Sequence, residues 1–158
     1  MIGRIAAARL RRLGPAGPGL PWQLQWRAVC ASTELELERS LRSGAAAPLA
    51  VLAGHQRFGH GQQGRPWQAP PGGVWISAAL PWPAHGDGTA ALGLAVAVGL
   101  ALQLEELGLE PRLKWPNDLL VRGAKVAGLL PRLRRRGEHI RWAQVGLGLN
   151  GHNPVPPG

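Results

Sequence analysis

The sequence predicts an α+β fold in which short strands form a mixed sheet and two helices pack on one face of it. The 158 residues give room for one domain with one core. Hydrophobic residues make up 45% of the chain and charged residues 17%, a balance typical of a globular protein. Short apolar runs are interleaved with two segments of helical character, and no internal repeat is visible.

The N-terminal part of the predicted domain begins with a strand over Leu24–Cys30. Ser32 or Thr33 then supplies the N-cap of a helix, and glutamates follow in the first turn, where the helix dipole favours them. Gly44 ends this helix. The apolar run Leu49–Ala53 predicts a second strand.

The C-terminal part starts with a segment, Gly54–Gly73, whose many Gly, Pro and Gln residues predict mostly loop. Val74–Leu80 predicts a buried strand, and the Ala/Leu/Val-rich segment Thr89–Leu107 predicts a helix that stops at Gly108. Four further short strands are predicted at Arg112–Trp115, Leu119–Arg122, Val126–Leu133 and Ile140–Asn150.

The formal net charge of +9 raises the possibility of a nucleic-acid partner. The arginines cluster near the N-terminus and again over residues 132–136, with no aromatic stacking motif between the two clusters. Solvated arginines are therefore the favoured interpretation, and a basic nucleic-acid-binding module stays as an alternative. No helix-turn-helix is visible, so we expect no specific DNA binding.

Cysteine usage and apolar runs bear on the cellular compartment. Cys30 is the only cysteine, which excludes a disulfide framework and a zinc site built from CxxC pairs. No secretory signal is visible, and the most apolar stretch, Thr89–Leu104, is shorter than the roughly 20 residues that a membrane span needs, which predicts a buried helix. We expect a cytoplasmic protein with a flexible basic leader over 1–21 and one domain over 22–158.

The segment Gly59–Gly64 matches the G-x-G-x-x-G pattern of dinucleotide-binding loops without predicting one. Such a loop must open a helix whose free N–H groups hold a pyrophosphate, whereas prolines follow here from Pro66 onward. The absence of a following Gly-Lys-Ser/Thr excludes a P-loop. A glycine-rich loop carrying Arg65 can nevertheless wrap an anionic ligand with backbone N–H groups, and a plain connecting loop is the alternative.

Sixteen arginines accompany only two lysines, Lys114 and Lys125, so the lysines call for an explanation. Lys114 opens the sequence Lys-Trp-Pro-Asn-Asp, in which Lys114 and Asp118 can flank a polar ligand on either side of a proline turn. Lys125 begins a strand, where its charge can project into a cleft while Gly128 leaves room for a ligand. An ordinary hairpin with surface lysines is the alternative.

Taken together, these segments resemble the catalytic domain of the biotin–protein ligase family over about residues 26–150. The resemblance implies a mixed, largely antiparallel sheet of the class II synthetase-like fold, without the C-terminal β-domain and with the C-terminal part incomplete. The matching pieces occur in family order: Ser32-Thr33 before a helix, Gln56, G-H-G-Q-Q-G-R-P-W from Gly59, V-W-I-S from Val74, K-W-P-N-D from Lys114, K-V-A-G from Lys125 and G-L-G-L-N from Gly146.

The resemblance implies a two-step reaction. Biotin would be adenylated by ATP to biotinyl-5′-AMP, with Mg²⁺ assisting and no residue of the chain singled out as a metal ligand. Biotin would then pass to a lysine of the biotin carboxyl carrier protein of acetyl-CoA carboxylase. Positioning and neutralisation of phosphate charge are the main physical demands, because two anions must meet.

The resemblance also implies roles for single residues. Lys125 and Arg65 would be catalytic, Trp67 would form the apolar wall of the pocket, and Gly128 would leave space beside Lys125. The remaining biotin- or adenylate-binding residues would be Ser32, Thr33, Gln56, Gly59, His60, Gly61, Gln62, Lys114, Asn117, Asp118 and Asn150.

The sequence departs from the family pattern at four positions, two of them among the predicted site residues and two outside that set. His60 and Gln62 stand where the family loop commonly has arginine, Glu34 where Asn often follows Ser-Thr, and Arg132 where an acidic residue is usual. Losing one charge-assisted contact costs about 1.5–3 kcal/mol. A weakened or truncated relative that binds biotin without efficient ligation is therefore one alternative, and a lipoate ligase or octanoyltransferase is another.

Overall fold

The computed structural model describes residues 21–82 and 88–155; of the predicted leader, only Pro21 lies among them. The strands and helices follow the predicted order closely. They are β1 (Gln23–Arg27), α1 (Thr33–Arg42), β2 (Leu49–Ala53), β3 (Gln56–His60), a 3₁₀ turn (Gln62–Gly64), β4 (Pro66–Ala69), β5 (Val74–Leu80), α2 (Thr89–Glu106), β6 (Pro111–Lys114), β7 (Asp118–Val121), β8 (Ala124–Arg136) and β9 (His139–Leu149).

Seven strands form one sheet in the order β1-β2-β5-β9-β8-β7-β6. Only β1 and β2 are parallel within this sheet; the other neighbouring pairs are antiparallel. The prediction of a mixed, largely antiparallel sheet with two helices is confirmed. β8 is longer than predicted, whereas β9 has the predicted length and is shifted by one residue. The two strands form a long hairpin at the centre of the sheet.

Helix α1 begins as the sequence predicts, because the Ser32 hydroxyl accepts a hydrogen bond from the Glu34 backbone N–H at 3.2 Å. Its apolar stripe then meets the sheet: Leu37 is fully buried against Leu49, Val51 and Ala79. Burying a leucine side chain contributes about 1.5–3 kcal/mol, so this contact fixes α1 over β2 and β5.

The two helices lie on opposite faces of the sheet, which differs from the prediction that both pack on one face. Helix α2 packs against Ala143 and Val145 of β9. Gln144, between them, donates a hydrogen bond to Glu34 of α1 at 3.0 Å. Successive side chains of a strand point to opposite faces. Gln144 is one of three polar residues of β9, with His139 and Arg141, and nothing in the local sequence shows that its side chain faces the other helix.

Helix α2 is only partly buried, in contrast to the prediction of a buried helix. Leu92, Ala97 and Leu104 contact the sheet, whereas Leu94, Val98 and Leu102 are 41–54% exposed. Over residues 21–82 and 88–155, no helix combines the length and apolar character that crossing a bilayer requires.

The segment Gly54–Gly73, predicted to be mostly loop, contains the separate two-stranded hairpin β3–β4. Gly59 explains why a glycine-rich stretch can pair here: a Cβ atom at this position would lie 2.6 Å from the Trp67 carbonyl oxygen. The missing side chain thus permits the close approach of the two strands. The hairpin projects the glycine-rich loop, residues 61–65, from its end.

Candidate functional site

A cavity of about 350 Å³ lies on the α1 face of the sheet, between the start of α1, the β3–β4 hairpin and strands β5, β8 and β9. Most of the predicted site residues line it. They are Ser32, Thr33, Gln56, His60, Gly61, Gln62, Arg65, Trp67, Asn117, Asp118, Lys125 and Gly128. Three predicted residues, Gly59, Lys114 and Asn150, do not line it.

The floor of the cavity is made of residues with small side chains. Gly128 pairs with Gly148 across β8 and β9, and Gly146 pairs with Ser77 across β9 and β5. All four line the cavity on the same face of the sheet. The sequence analysis did not assign a site role to Ser77, Gly146 or Gly148. The alternating glycines of G-L-G-L-N are a signal that could have identified Gly146 and Gly148.

One end of the cavity is lined by polar side chains that are hydrogen-bonded to one another. Gln56 Oε1 accepts hydrogen bonds from the Thr33 backbone N–H at 2.7 Å and from Thr33 Oγ1 at 3.0 Å. Thr33 Oγ1 also lies 2.8 Å from Ser77 Oγ. Thr33, Gln56 and Ser77 therefore form one hydrogen-bonded network at this end of the cavity, and Ser32 lines the cavity beside them. Such an end suits a small ligand group with both donors and acceptors.

Trp67 forms the apolar wall of the cavity. Its ring meets Trp75 edge to face, with centroids 6.4 Å apart and planes at 74°. Its Nε1 atom is buried and has no hydrogen-bond partner. The indole ring of Trp67 occupies part of the space beside Gly128, because a Cβ atom on Gly128 would lie 3.2 Å from that ring.

Lys125 and Asp118 occupy the other end. Lys125 Nζ lies 2.7 Å from Asp118 Oδ1, a buried oxygen, and 5.1 Å from the centroid of the Trp67 ring. The Lys125 side chain is 42% exposed, so its ammonium remains reachable from the cavity and from solvent. A point charge held between a carboxylate and an indole face is suited to meeting an anionic ligand.

The proline turn contributes structure as well as lining. The Asn117 side chain donates to the Leu129 carbonyl oxygen at 2.8 Å, and the Leu129 N–H donates to the Asn117 carbonyl oxygen at 2.8 Å. These two bonds tie the turn to β8 and thereby place Asp118 beside Lys125. Lys114 is exposed on β6, opposite Asp118 in the strand register.

Asn150 does not line the cavity. Its side chain donates to the Lys125 carbonyl oxygen at 3.4 Å and accepts a hydrogen bond from Asn153 at 3.0 Å. Its backbone N–H donates to the Val126 carbonyl oxygen at 2.7 Å. In this position Asn150 supports the backbone that carries Lys125.

The glycine-rich loop closes the side of the cavity next to α1. The Gly61 N–H donates to the Arg65 carbonyl oxygen at 2.8 Å, and Arg65 Nη2 donates to Gln63 Oε1 at 3.3 Å. The Arg65 side chain is otherwise at the exposed edge of the cavity. At the root of the loop, His60 Nε2 lies 2.8 Å from Glu34 Oε2. Glu34 also meets Arg132, so three of the four departures from the family pattern meet in one cluster.

No group of three or more His, Cys, Asp or Glu side chains within 21–82 and 88–155 could hold a metal ion by itself. The cavity contains two carboxylates, Asp118 beside Lys125 and Glu34 beside His60. Mg²⁺ commonly binds one or two protein carboxylates together with substrate phosphates. Asp118 therefore suits an ion that arrives with a phosphate-bearing ligand.

The model of the biotin/lipoate A/B protein ligase family matches residues 27–150, which include every residue that lines the cavity. The chain belongs to this family.

The bifunctional ligase/repressor BirA of Bacillus subtilis is 31% identical over 94% of this chain and 46% of its own length. The biotin–[acetyl-CoA-carboxylase] ligase of Mycobacterium tuberculosis is 36% identical over 85% of this chain and 52% of its own length. A solved biotin protein ligase from Aquifex aeolicus, in complex with biotin and ATP, superposes with a TM-score of 0.70 at 29% identity, over 85% of this chain and 55% of that one. The chain spans about half the length of these relatives.

Proposed function

We propose that this chain adenylates biotin with ATP and transfers the biotin to a lysine of the biotin carboxyl carrier protein of acetyl-CoA carboxylase. The observation that carries the proposal is the cavity, which joins a polar end at Thr33 and Gln56, an apolar wall at Trp67 and a cation at Lys125. Biotin has the matching order of groups: a polar ureido ring, an apolar thiophane ring and chain, and a terminal carboxylate. The names of the relatives support the same reaction.

In the first step, a carboxylate oxygen of biotin attacks the α-phosphorus of ATP. A carboxyl–phosphate bond forms, the bond from the α-phosphorus to the bridging oxygen of the β-phosphate breaks, and pyrophosphate leaves. Both reactants are anionic, so catalysis depends on placing positive charge between them. Lys125 supplies this charge, and Asp118 holds the ammonium at 2.7 Å so that it does not swing out into solvent.

In the second step, the neutral amine of the carrier lysine attacks the carbonyl carbon of the biotinyl adenylate. An amide bond forms, the carboxyl–phosphate bond breaks and AMP leaves, while the amine loses a proton to solvent. The Arg65 guanidinium lies at the exposed edge of the cavity, where it can neutralise the departing phosphate. The glycine-rich loop excludes water from the mixed anhydride until the carrier arrives.

Mg²⁺ supplies charge neutralisation to the phosphates when it is bound. Asp118 is the carboxylate of the cavity that would hold it beside the nucleotide. Asn117, which ties the proline turn to β8, keeps Asp118 in place. Lys114 and Asn150, which do not line the cavity, remain predicted contacts of the nucleotide. The cytoplasm remains the predicted compartment.

The proposal is tested by biotin-dependent exchange of labelled pyrophosphate into ATP with the 158-residue chain. Lys125→Ala should reduce the exchange at least about a hundredfold, because charge stabilisation of this kind contributes several kcal/mol. The control is Arg112→Ala, which removes an exposed cation from β6 outside the cavity and should exchange like the parent chain. Full exchange by Lys125→Ala, or none by a folded parent chain that also fails to bind biotin, would contradict the proposal. Exchange that requires lipoate or octanoate instead would identify the related acyl ligase.

A further inference from the structure

Glu34 connects three parts of the domain through one buried carboxylate. Its side chain is 10% exposed, and it lines the cavity from the first turn of α1. Oε1 accepts from Gln144 Nε2 at 3.0 Å and Arg134 Nη2 at 2.9 Å, with Arg132 Nη1 at 3.3 Å. Oε2 faces the other way and meets His60 Nε2 at 2.8 Å.

The contact with His60 is not needed to satisfy the buried charge of Glu34. A buried carboxylate is costly unless it is paired and hydrogen-bonded, and two guanidinium groups with one amide already meet this demand. Arg134 in turn pairs with Glu38, one helical turn further along α1. These contacts therefore hold α1 against the β8–β9 hairpin without His60. The contact between His60 and Glu34 thus stabilises mainly the position of the loop that follows His60.

His60 is the last residue of β3, directly before the glycine-rich loop. The backbone bonds of this loop are internal: Gly61 donates to Arg65, and Arg65 donates to Gln62. Glycines increase the conformational freedom of such a segment, and ordering it on a ligand costs entropy. A contact that fixes His60, directly before the loop, reduces this entropy cost before the ligand binds.

We propose that Glu34 and His60 are positioning residues that hold the root of the glycine-rich loop against α1, at the cavity end formed by Thr33 and Gln56. The proposal rests on the proposed function, since it names the residues that preorganise the loop for biotin. His60 acts as a donor through Nε2–H, and Glu34 as an acceptor whose orientation the arginines of β8 fix. Neither residue takes part in bond making.

The first test measures hydrogen exchange of the Gly61 and Arg65 amides in the ligand-free 158-residue chain. His60→Ala should accelerate exchange at both amides by about threefold to tenfold, the effect of losing one hydrogen bond of ordinary net strength. His60→Gln keeps an N–H donor of similar reach and should restore most of the protection. Glu38→Gln is the matched control: it removes a carboxylate from the same helix and from the same Arg134, without touching His60. Unchanged loop exchange in His60→Ala would overturn the proposal.

The second test compares biotin affinity, by titration calorimetry, with the rate of pyrophosphate exchange at saturating biotin. His60→Ala should weaken biotin binding by about threefold to tenfold and leave the saturated rate within about twofold of the parent chain, whereas His60→Gln should bind nearly as the parent does. Parent-like affinity in His60→Ala would refute the positioning role and leave the proposed function intact. A parent chain that binds no biotin, but shows the expected loop exchange, would refute the proposed function and leave the positioning role standing.

Discussion

The indole of Trp67 lies directly against Gly148: a Cβ atom at this glycine would stand 2.6 Å from Trp67 Nε1 and within 2.8 Å of two further ring atoms. The tryptophan comes from the β3–β4 hairpin and the glycine from the centre of the main sheet. Their contact is therefore one of the places where the hairpin packs against the sheet, and both residues line the cavity.

Replacing Gly148 by alanine should displace Trp67 and narrow or distort the cavity. No real Cβ atom tolerates a 2.6 Å contact with a ring, and the ring is not the free end of a flexible side chain. Overpacking a site costs about 1–3 kcal/mol, so we expect biotin affinity to fall by about fivefold to a hundredfold. Titration calorimetry measures the affinity, and tryptophan fluorescence reports the displaced indole.

Gly137→Ala is the comparison for the loss of affinity. Gly137 lies in the β8–β9 turn, far along the hairpin from the cavity, and has open space around its Cβ position, although its positive φ of 59° costs some stability. Equal loss of biotin affinity in both variants would show that the Trp67–Gly148 contact is unimportant for the ligand.

Asp118→Asn should lower biotin-dependent pyrophosphate exchange by about tenfold or more while changing the free energy of unfolding by less than about 1 kcal/mol. The pair with Lys125 is partly open to solvent, and such pairs contribute little to stability. Its value lies in orienting the ammonium towards the reacting anions. Exchange assays and urea denaturation of the same preparation separate the two effects. Parent-like exchange would remove Asp118 from the proposed mechanism.

The local signals in the sequence predicted most of the elements, and the family resemblance named most of the residues that line the cavity. The N-cap at Ser32 and the short apolar runs depend on neighbouring residues alone, and they are confirmed within a few residues. The resemblance could name Thr33, Gln56 and Lys125 together although they are far apart in the chain, and all three line the cavity.

What the sequence did not reveal depends on long-range pairing. The opposite placement of the helices follows from Gln144 facing α1, and the β3–β4 hairpin follows from Gly59 lying against the Trp67 carbonyl group. Neither relationship has a local signal. The Glu34–His60 contact joins two positions 26 residues apart that each look like the loss of a family residue when taken alone.

Leu37→Ala should destabilise the domain by about 2–4 kcal/mol, because a fully buried leucine at the α1–sheet interface would leave a cavity. Leu35→Ala, on the same helix but 49% exposed, should change the free energy of unfolding by less than about 0.5 kcal/mol. Urea denaturation followed by circular dichroism measures both. Similar losses in the two variants would mean that α1 does not pack through Leu37.

Cys30 should react slowly with a thiol reagent in the folded chain. Burial raises the pKa of the Cys30 thiol above its ordinary value of 9.0, and the nearby Glu36 carboxylate adds to the increase, while Arg27 opposes it. Fewer thiolates are then present at any given pH below that range, and the thiolate is the reactive form. Cys30 is the only cysteine, so the release of coloured thiolate from a disulfide reagent at pH 8 reports on this residue alone. The same chain in guanidinium chloride is the control, and equal rates in the two states would contradict the prediction.

The raised pKa of Cys30 also predicts that the free energy of unfolding falls at high pH. Because the folded chain holds the Cys30 proton more tightly than the unfolded chain does, this group's contribution to stability is fully present below pH 9.0. It is lost progressively as the pH rises from there through the higher pKa of the folded state. We expect the free energy of unfolding of Cys30→Ser to fall less steeply above pH 9 than that of the parent chain, since serine does not ionise in this range. Parallel pH profiles from urea denaturation would show that the thiol keeps its ordinary pKa in the folded protein.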